Sequence, residues 1–200
     1  MNKPQNILVG RDRERHALLA RCEQLQESKG GFYWLSGEAG IGKTSLMEEI
    51  KDWAQEKNYQ TLWGRHIAHR QAPPLNGLRQ AIAQLFGVGP ADGPEEVDQK
   101  VRILLEKRWS GLQLHRPILV GFLDPLAESS AETTGGQHLY YILFRLLAAA
   151  AQENPYLLFM DDCHWADTLT LDCMSFLSSL LIDQPILVIG AYRPEEPDLI

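Results

Sequence analysis

The sequence predicts an α/β fold in which a central parallel sheet is flanked by helices. Three observations carry that expectation. Four apolar, β-prone runs are bounded by turn residues, amphipathic helical patterns lie between them, and a glycine-rich segment joins the first run to the helix after it. Parallel neighbours need long crossovers, which helices supply, so the alternation itself favours a parallel sheet.

The elements follow in order. A first helix precedes the sheet, with Leu18, Leu19, Cys22 and Leu25 inward. FYWLS (32–36) is the first strand, and Leu46, Met47, Ile50, Trp53 and Ala54 share one face of the next helix. TLWGRHI (61–67) is the second strand. Helices over about 75–86 and 95–109 flank the loop-like GVGPADGP (87–94). LHRPILVGFL (114–123) fits a strand or a helix equally well by its apolar pattern. A second loop-like stretch, AESSAETTGGQ (127–137), leads into a helix over 138–152. YLLFM (156–160) is the third strand. A helix with Leu169, Cys173, Phe176, Leu177, Leu180 and Leu181 inward connects it to PILVIGAY (185–192), the fourth.

Composition bounds the function. With 200 residues, 44% apolar and 22% charged, the chain reads as one domain over 1–200 with a substantial core. A formal charge of -7 is opposite to the basic surface that neutralises nucleic-acid phosphates, so no direct nucleic-acid partner is expected. Three cysteines are too few for a disulfide framework, and MNKPQNILVGRDRE has no apolar signal core, which together point to a reducing, cytoplasmic compartment. The run from Leu139 is broken by Arg145 and falls short of the roughly 20 apolar residues of a membrane span, so no membrane partner is expected.

GEAGIGKT, Gly37 to Thr44, meets every specified position of G-x-x-x-x-G-K-S/T, between a strand and an amphipathic helix. Gly37, Gly40 and Gly42 allow the backbone to turn its N–H groups toward an anion, and the helix N-terminus adds its positive end. The segment Gly37, Glu38, Ala39, Gly40, Ile41, Gly42, Lys43, Thr44 and Ser45 is therefore expected to bind the phosphates of ATP or ADP. Lys43 is expected to reach the β- and γ-phosphates, and the Thr44 hydroxyl to ligate Mg²⁺.

FMDDCHWAD (159–167) places two adjacent carboxylates at the carboxyl end of the third strand, the edge where open α/β sheets bind ligands. Asp161 is assigned to Mg²⁺ and Asp162 to the water that attacks the γ-phosphate. Because consecutive strand residues face opposite ways, one of the two has a structural role as its alternative. Cys163, His164 and Cys173 lack a second ligand pair at zinc spacing, so the cysteines read as small buried apolar groups. Asp167, just before Thr168-Leu169, reads as a helix N-cap.

Several of these motifs together resemble the signal-transduction ATPases with numerous domains and the related origin-recognition-like AAA ATPase modules of large bacterial regulators. LVGRDRE (8–14) looks like the family's N-terminal G-R-x-x-E motif. GEAGIGKT looks like its phosphate loop, MDDCHWAD like its D-D-x-H-W-A-D motif, and AYRPEE (191–196) like its strand-end T/A-Y-R segment. The resemblance implies a three-layer P-loop NTPase core of the ASCE/AAA type. It implies that Val9, Gly10 and Arg11 lie near the adenine or ribose, and that Arg193 senses the γ-phosphate. Such cores continue into a fifth strand, a helical lid and a winged helix, so this chain is expected to be the N-terminal portion of a larger protein, truncated before those parts. Its partners would then be ATP, C-terminal effector or sensor domains of the same chain, and other copies in a nucleotide-dependent oligomer. The expected activity is slow ATP hydrolysis driving a switch in a signalling or transcriptional regulator. Nucleotide binding without turnover and a replication-loader-like ATPase stand as alternatives.

Overall fold

The computed structural model describes residues 12–68, 73–124 and 136–194. Helix α1 (Asp12–Glu23) and a 3-10 turn (Gln24–Glu27) precede β1 (Gly31–Ser36), α2 (Lys43–Glu56) and β2 (Gln60–Arg65). Then come α3 (Asn76–Phe86), α4 (Pro94–Arg108), a 3-10 segment (Ser110–His115), α5 (Arg116–Leu123) and α6 (Gly136–Ala150). The chain continues through β3 (Tyr156–Asp161), a 3-10 turn (Cys163–Trp165), α7 (Thr168–Leu180) and β4 (Ile186–Tyr192).

All described strand pairs are parallel, in the order β1-β4-β3-β2. Strand β4, the last in sequence, inserts between β1 and β3, while β2 lies on the far side of β3. Every residue of β3 is buried, as expected for a strand covered on both faces. Alternation divides its side chains between two cores. Leu157 and Phe159 pack with Leu187, Ile189 and the inward residues Leu18, Leu46, Met47 and Ile50 of α1 and α2. Leu158 and Met160 pack with Val188 and with Ile82, Leu139, Leu143 and Leu177 from α3, α6 and α7. This is the three-layer α/β arrangement expected from the sequence.

The ambiguous stretch at 114–123 is a 3-10 turn running into α5. Pro117 is the second residue of that helix, where a missing N–H costs nothing; in a sheet it would remove a ladder bond. Strand β2 ends at Arg65 rather than at Ile67 because its partner β3 ends opposite it, Arg65 pairing with Asp161. A last ladder-like bond runs from His66 N–H to the Asp161 carbonyl at 3.0 Å.

Helix α3 lies directly on β2. A Cβ at Gly64 would come within 2.1 Å of the Gly77 carbonyl oxygen, and a Cβ at Gly77 within 2.5 Å of the His66 ring, so both positions need the absence of a side chain. The entry into α3 is unusual: Leu75 adopts φ 60°, a left-handed conformation that a Cβ-bearing residue disfavours, and it is nevertheless buried. Its N–H donates to Asp167 Oδ2 at 3.0 Å. The same carboxylate caps α7, accepting from the Thr170 N–H at 2.9 Å and from Thr170 Oγ1 at 2.7 Å. Asp167 is thus the N-cap read from the sequence and, in addition, the tie between two helix starts.

Replacing Asp167 removes a cap and leaves a buried N–H without its partner. Asp167→Ala is expected to lower unfolding free energy by about 2–3 kcal/mol, and Asp167→Asn by less than half of that. Urea denaturation followed by circular dichroism checks this; an unchanged midpoint for Asp167→Ala would contradict the double role.

Candidate functional site

The carboxyl ends of β1, β4 and β3 bring the sequence-derived residues to one edge. After β1, Gly40 (φ 74°) and Gly42 (φ 90°) turn the chain through left-handed conformations, and Gly42 stands at the N-cap of α2. Glu38, Ala39, Gly40 and Ile41 form the exposed crest of the loop, with Gly37, Gly42, Thr44 and Ser45 half-buried. Lys43 is buried, and its ammonium donates to the carbonyl oxygens of Gly37 at 2.6 Å and Glu38 at 2.9 Å. The loop is therefore closed around its own lysine.

Thr44, in the first turn of α2, meets Asp161 at the end of β3. Its Oγ1 donates toward Asp161 Oδ2 at 3.1 Å and Oδ1 at 3.3 Å. Asp161 is only 2% exposed, and a carboxylate so placed needs partners. Two more reach it: Arg65 Nη2 donates to Oδ2 at 3.0 Å, and the Asp162 N–H to Oδ1 at 2.9 Å. A hydroxyl facing a carboxylate is the hard oxygen set that suits Mg²⁺, which takes only one or two carboxylates alongside phosphate and water. The donors present thus fit that ion.

Asp162 does not continue the strand. It turns at φ 54° and ψ 41°, and its half-exposed carboxylate lies 3.9 Å from Arg65 Nε. Simple alternation of the two carboxylates across the sheet, one of the sequence expectations, therefore fails at this residue. Arg193 directly follows β4. Tyr192 pairs with Ser36 of β1 and β3 borders β4 on its other side, so Arg193 leaves the sheet, half-buried, from the strand that lies between β1 and β3. Val9, Gly10 and Arg11 lie outside the described residues, as do Glu195 and Glu196.

The sulfur groups behave as apolar filling. Burial pushes the thiols of Cys163 and Cys173 up to about 12, which keeps them protonated, and Cys163 Sγ donates to the Met160 carbonyl at 3.1 Å. His164 is buried, while Trp165 is partly exposed with its ring 5.1 Å from the His164 ring.

Sequence reasoning missed Arg65. Its signal was available only in combination: an arginine closing one strand matters once that strand is known to lie beside the one that ends in Asp161. Also missed was His66, which is buried with Nε2 lacking a hydrogen-bond partner among the described residues. Burial lowers its pKa from the usual value of 6.5, against the opposing pull of Asp167, Asp162 and Asp161. The folded protein therefore holds the ring neutral more strongly than the unfolded chain does. Below about pH 6.5 the unfolded state takes up a proton that the folded state resists, and stability falls as pH falls toward the lowered folded value. His66→Phe, which keeps a ring against Gly77, is expected to gain stability relative to the parent at pH 5.5 compared with pH 7.5. Urea midpoints at both values test this; a parallel shift at the two pH values would remove His66 from the acid dependence.

Comparison with known proteins fits this geometry. The family model for the AAA ATPase domain matches residues 7–189. The chain is also similar to an uncharacterized protein of Rhizobium meliloti (strain 1021), 24% identical over 201 residues that cover 94% of this chain. The chain spans 18% of that relative's length. With a phosphate-loop helix, a carboxylate-ended β3 and β4 inserted between them, and with the family model covering most of its length, the chain belongs to the AAA ATPase domain family.

Proposed function

We propose that residues 1–200 form one nucleotide-binding domain that takes ATP with Mg²⁺ at the carboxyl edge of the sheet, hydrolyses it slowly and acts as a switch within a larger regulator. The observation that supports it most is the contact of Thr44 Oγ1 with the Asp161 carboxylate, which brings the start of the phosphate-loop helix to the end of β3.

Each residue has a role in this reading. The loop from Gly37 to Ser45 wraps the phosphates with backbone N–H groups and the positive end of α2. Lys43, already drawn to the loop carbonyls, exchanges those acceptors for phosphate oxygens, a charge-assisted and therefore stronger contact. Thr44 and Asp161 hold the metal, which when bound neutralises charge developing on the β- and γ-phosphate oxygens. Asp162, half-exposed beside the site, orients the attacking water and accepts its proton. Arg193 contacts the γ-phosphate from the end of β4 and loses that contact once the phosphate departs. Val9, Gly10 and Arg11 are assigned to the adenine or ribose side by resemblance.

The regulatory context rests on different support. LVGRDRE, MDDCHWAD and AYRPEE resemble the signal-transduction ATPases with numerous domains, and the relative is several times longer than the chain. We assign the domain to that subtype, in the cytoplasm, with effector or sensor domains further along the same chain and nucleotide-dependent self-association as the readout. The second reading, binding without turnover, is favoured by one feature: Asp162 shares its guanidinium neighbour with Asp161, which restrains a would-be base.

Two substitutions separate these readings. Lys43→Ala is expected to weaken Mg²⁺–ATP binding by about a hundredfold or more in isothermal titration, since one charge-assisted phosphate contact in a closed loop is lost. Asp162→Asn is expected to leave binding within about twofold while slowing single-turnover hydrolysis by about a hundredfold, the low end for a positioned general base. Equal single-turnover rates would take Asp162 out of the chemistry and leave a binding module.

A further inference from the structure

Asp161 already holds three donors on its two oxygens. Oδ2 accepts from Thr44 Oγ1 and Arg65 Nη2, and Oδ1 from the Asp162 N–H with a second, longer approach from Thr44. A metal that takes this carboxylate, directly or through an ordered water, competes with those donors for it. Thr44 is itself an oxygen ligand and turns with the ion. The Asp162 N–H is fixed by the left-handed turn of its backbone. Arg65 is the cation among these donors, and its side chain has room to move: it is 52% exposed, at the end of an edge strand.

Its backbone, by contrast, is held. The Arg65 N–H donates to Gln80 Oε1 at 3.1 Å, and the Gln80 amide returns a bond to the Arg65 carbonyl at 3.3 Å, which ties the strand end to α3. Only the side chain can move, and its Nε already lies 3.9 Å from Asp162 Oδ2.

We propose that Arg65 is an internal cation that competes with Mg²⁺ for Asp161 and passes to Asp162 when the metal binds. The idea rests on the nucleotide reading given above. It makes Arg65 a positioning residue: it holds the Asp161 carboxylate aimed at Thr44 before loading, and after loading it is paired with the residue assigned to the attacking water. It also raises the metal requirement of the site, because Mg²⁺ and the guanidinium compete for the same carboxylate.

The sign of the expected effect is opposite to that of a residue that merely supports the site. A fluorescent ATP analogue at fixed concentration, titrated with Mg²⁺ and read by its emission, gives the midpoint for metal-dependent binding without any turnover. Removing a half-exposed ion pair at the upper end of the surface range should lower that midpoint in Arg65→Gln by about three- to fivefold. Arg65→Lys, which keeps the charge without the two-pronged donor, should fall between Arg65→Gln and the parent. A midpoint in Arg65→Gln that equals or exceeds the parent's overturns the competition, and so does loss of binding by a variant whose thermal midpoint matches the parent's. If the parent protein itself shows no Mg²⁺-dependent nucleotide binding, the nucleotide reading falls and takes this inference with it, a result distinct from a failure confined to Arg65.

Discussion

The arrangement of this domain is governed by one buried carboxylate. Asp161 ends the most enclosed strand of the sheet, where an isolated charge would be far too costly, and the surrounding elements deliver its partners. Helix α2 brings Thr44, β2 brings Arg65, and the turn after β3 brings its own N–H. Each delivery depends on topology. Arg65 reaches Asp161 because β2 is the neighbour of β3 in register, and Thr44 reaches it because α2 packs across the sheet face that carries Leu157 and Phe159. Solving the burial of one charge therefore assembles the edge at which a phosphate loop and a carboxylate meet.

A second carboxylate is treated differently a few residues on. Asp167 accepts from backbone N–H groups and a hydroxyl, from Leu75 and Thr170. Its work is mechanical: it holds the strained start of α3 to the start of α7, and α3 in turn presses through Gly77 onto the His66 ring. His66, the first residue after β2, is thereby held between α3 and its N–H bond to Asp161. Arg65 can carry a mobile side chain because the backbone beneath it has this support, together with the Gln80 bonds.

Most of the fold was legible because the signals were strong and local. The four apolar runs became the four strands, and the inward faces read for α1 and α2 pack as the core beneath one face of the sheet. The stretch at 114–123 was legible as structured but not as helix, since its apolar continuity hides the period; Pro117 was the residue that discriminated. At the site, GEAGIGKT and the acidic pair could be read from spacing, whereas Arg65, His66 and Gly77 could not. Their meaning lies in contacts between β2, β3 and α3, and spacing within one segment does not encode strand order. Even the glycine at 64, which weakens a strand by propensity, makes sense only against the backbone of Gly77.

The acidic pair itself carries a last piece of logic. Two consecutive carboxylates on a strand buried on both faces would send one side chain into each core, and no arrangement of Leu158, Met160 and their neighbours could satisfy the second. The strand must therefore stop between them. It does so through a left-handed residue, a conformation that aspartate tolerates better than most because its short side chain bonds locally. The turn releases Asp162 to the edge, with its carboxylate about one-third exposed, and spends its N–H on Asp161. One carboxylate is thereby fixed and enclosed, the other open and adjustable. That division follows from where the strand has to end, and it is what allows neighbouring residues of one type to hold different parts of a single site.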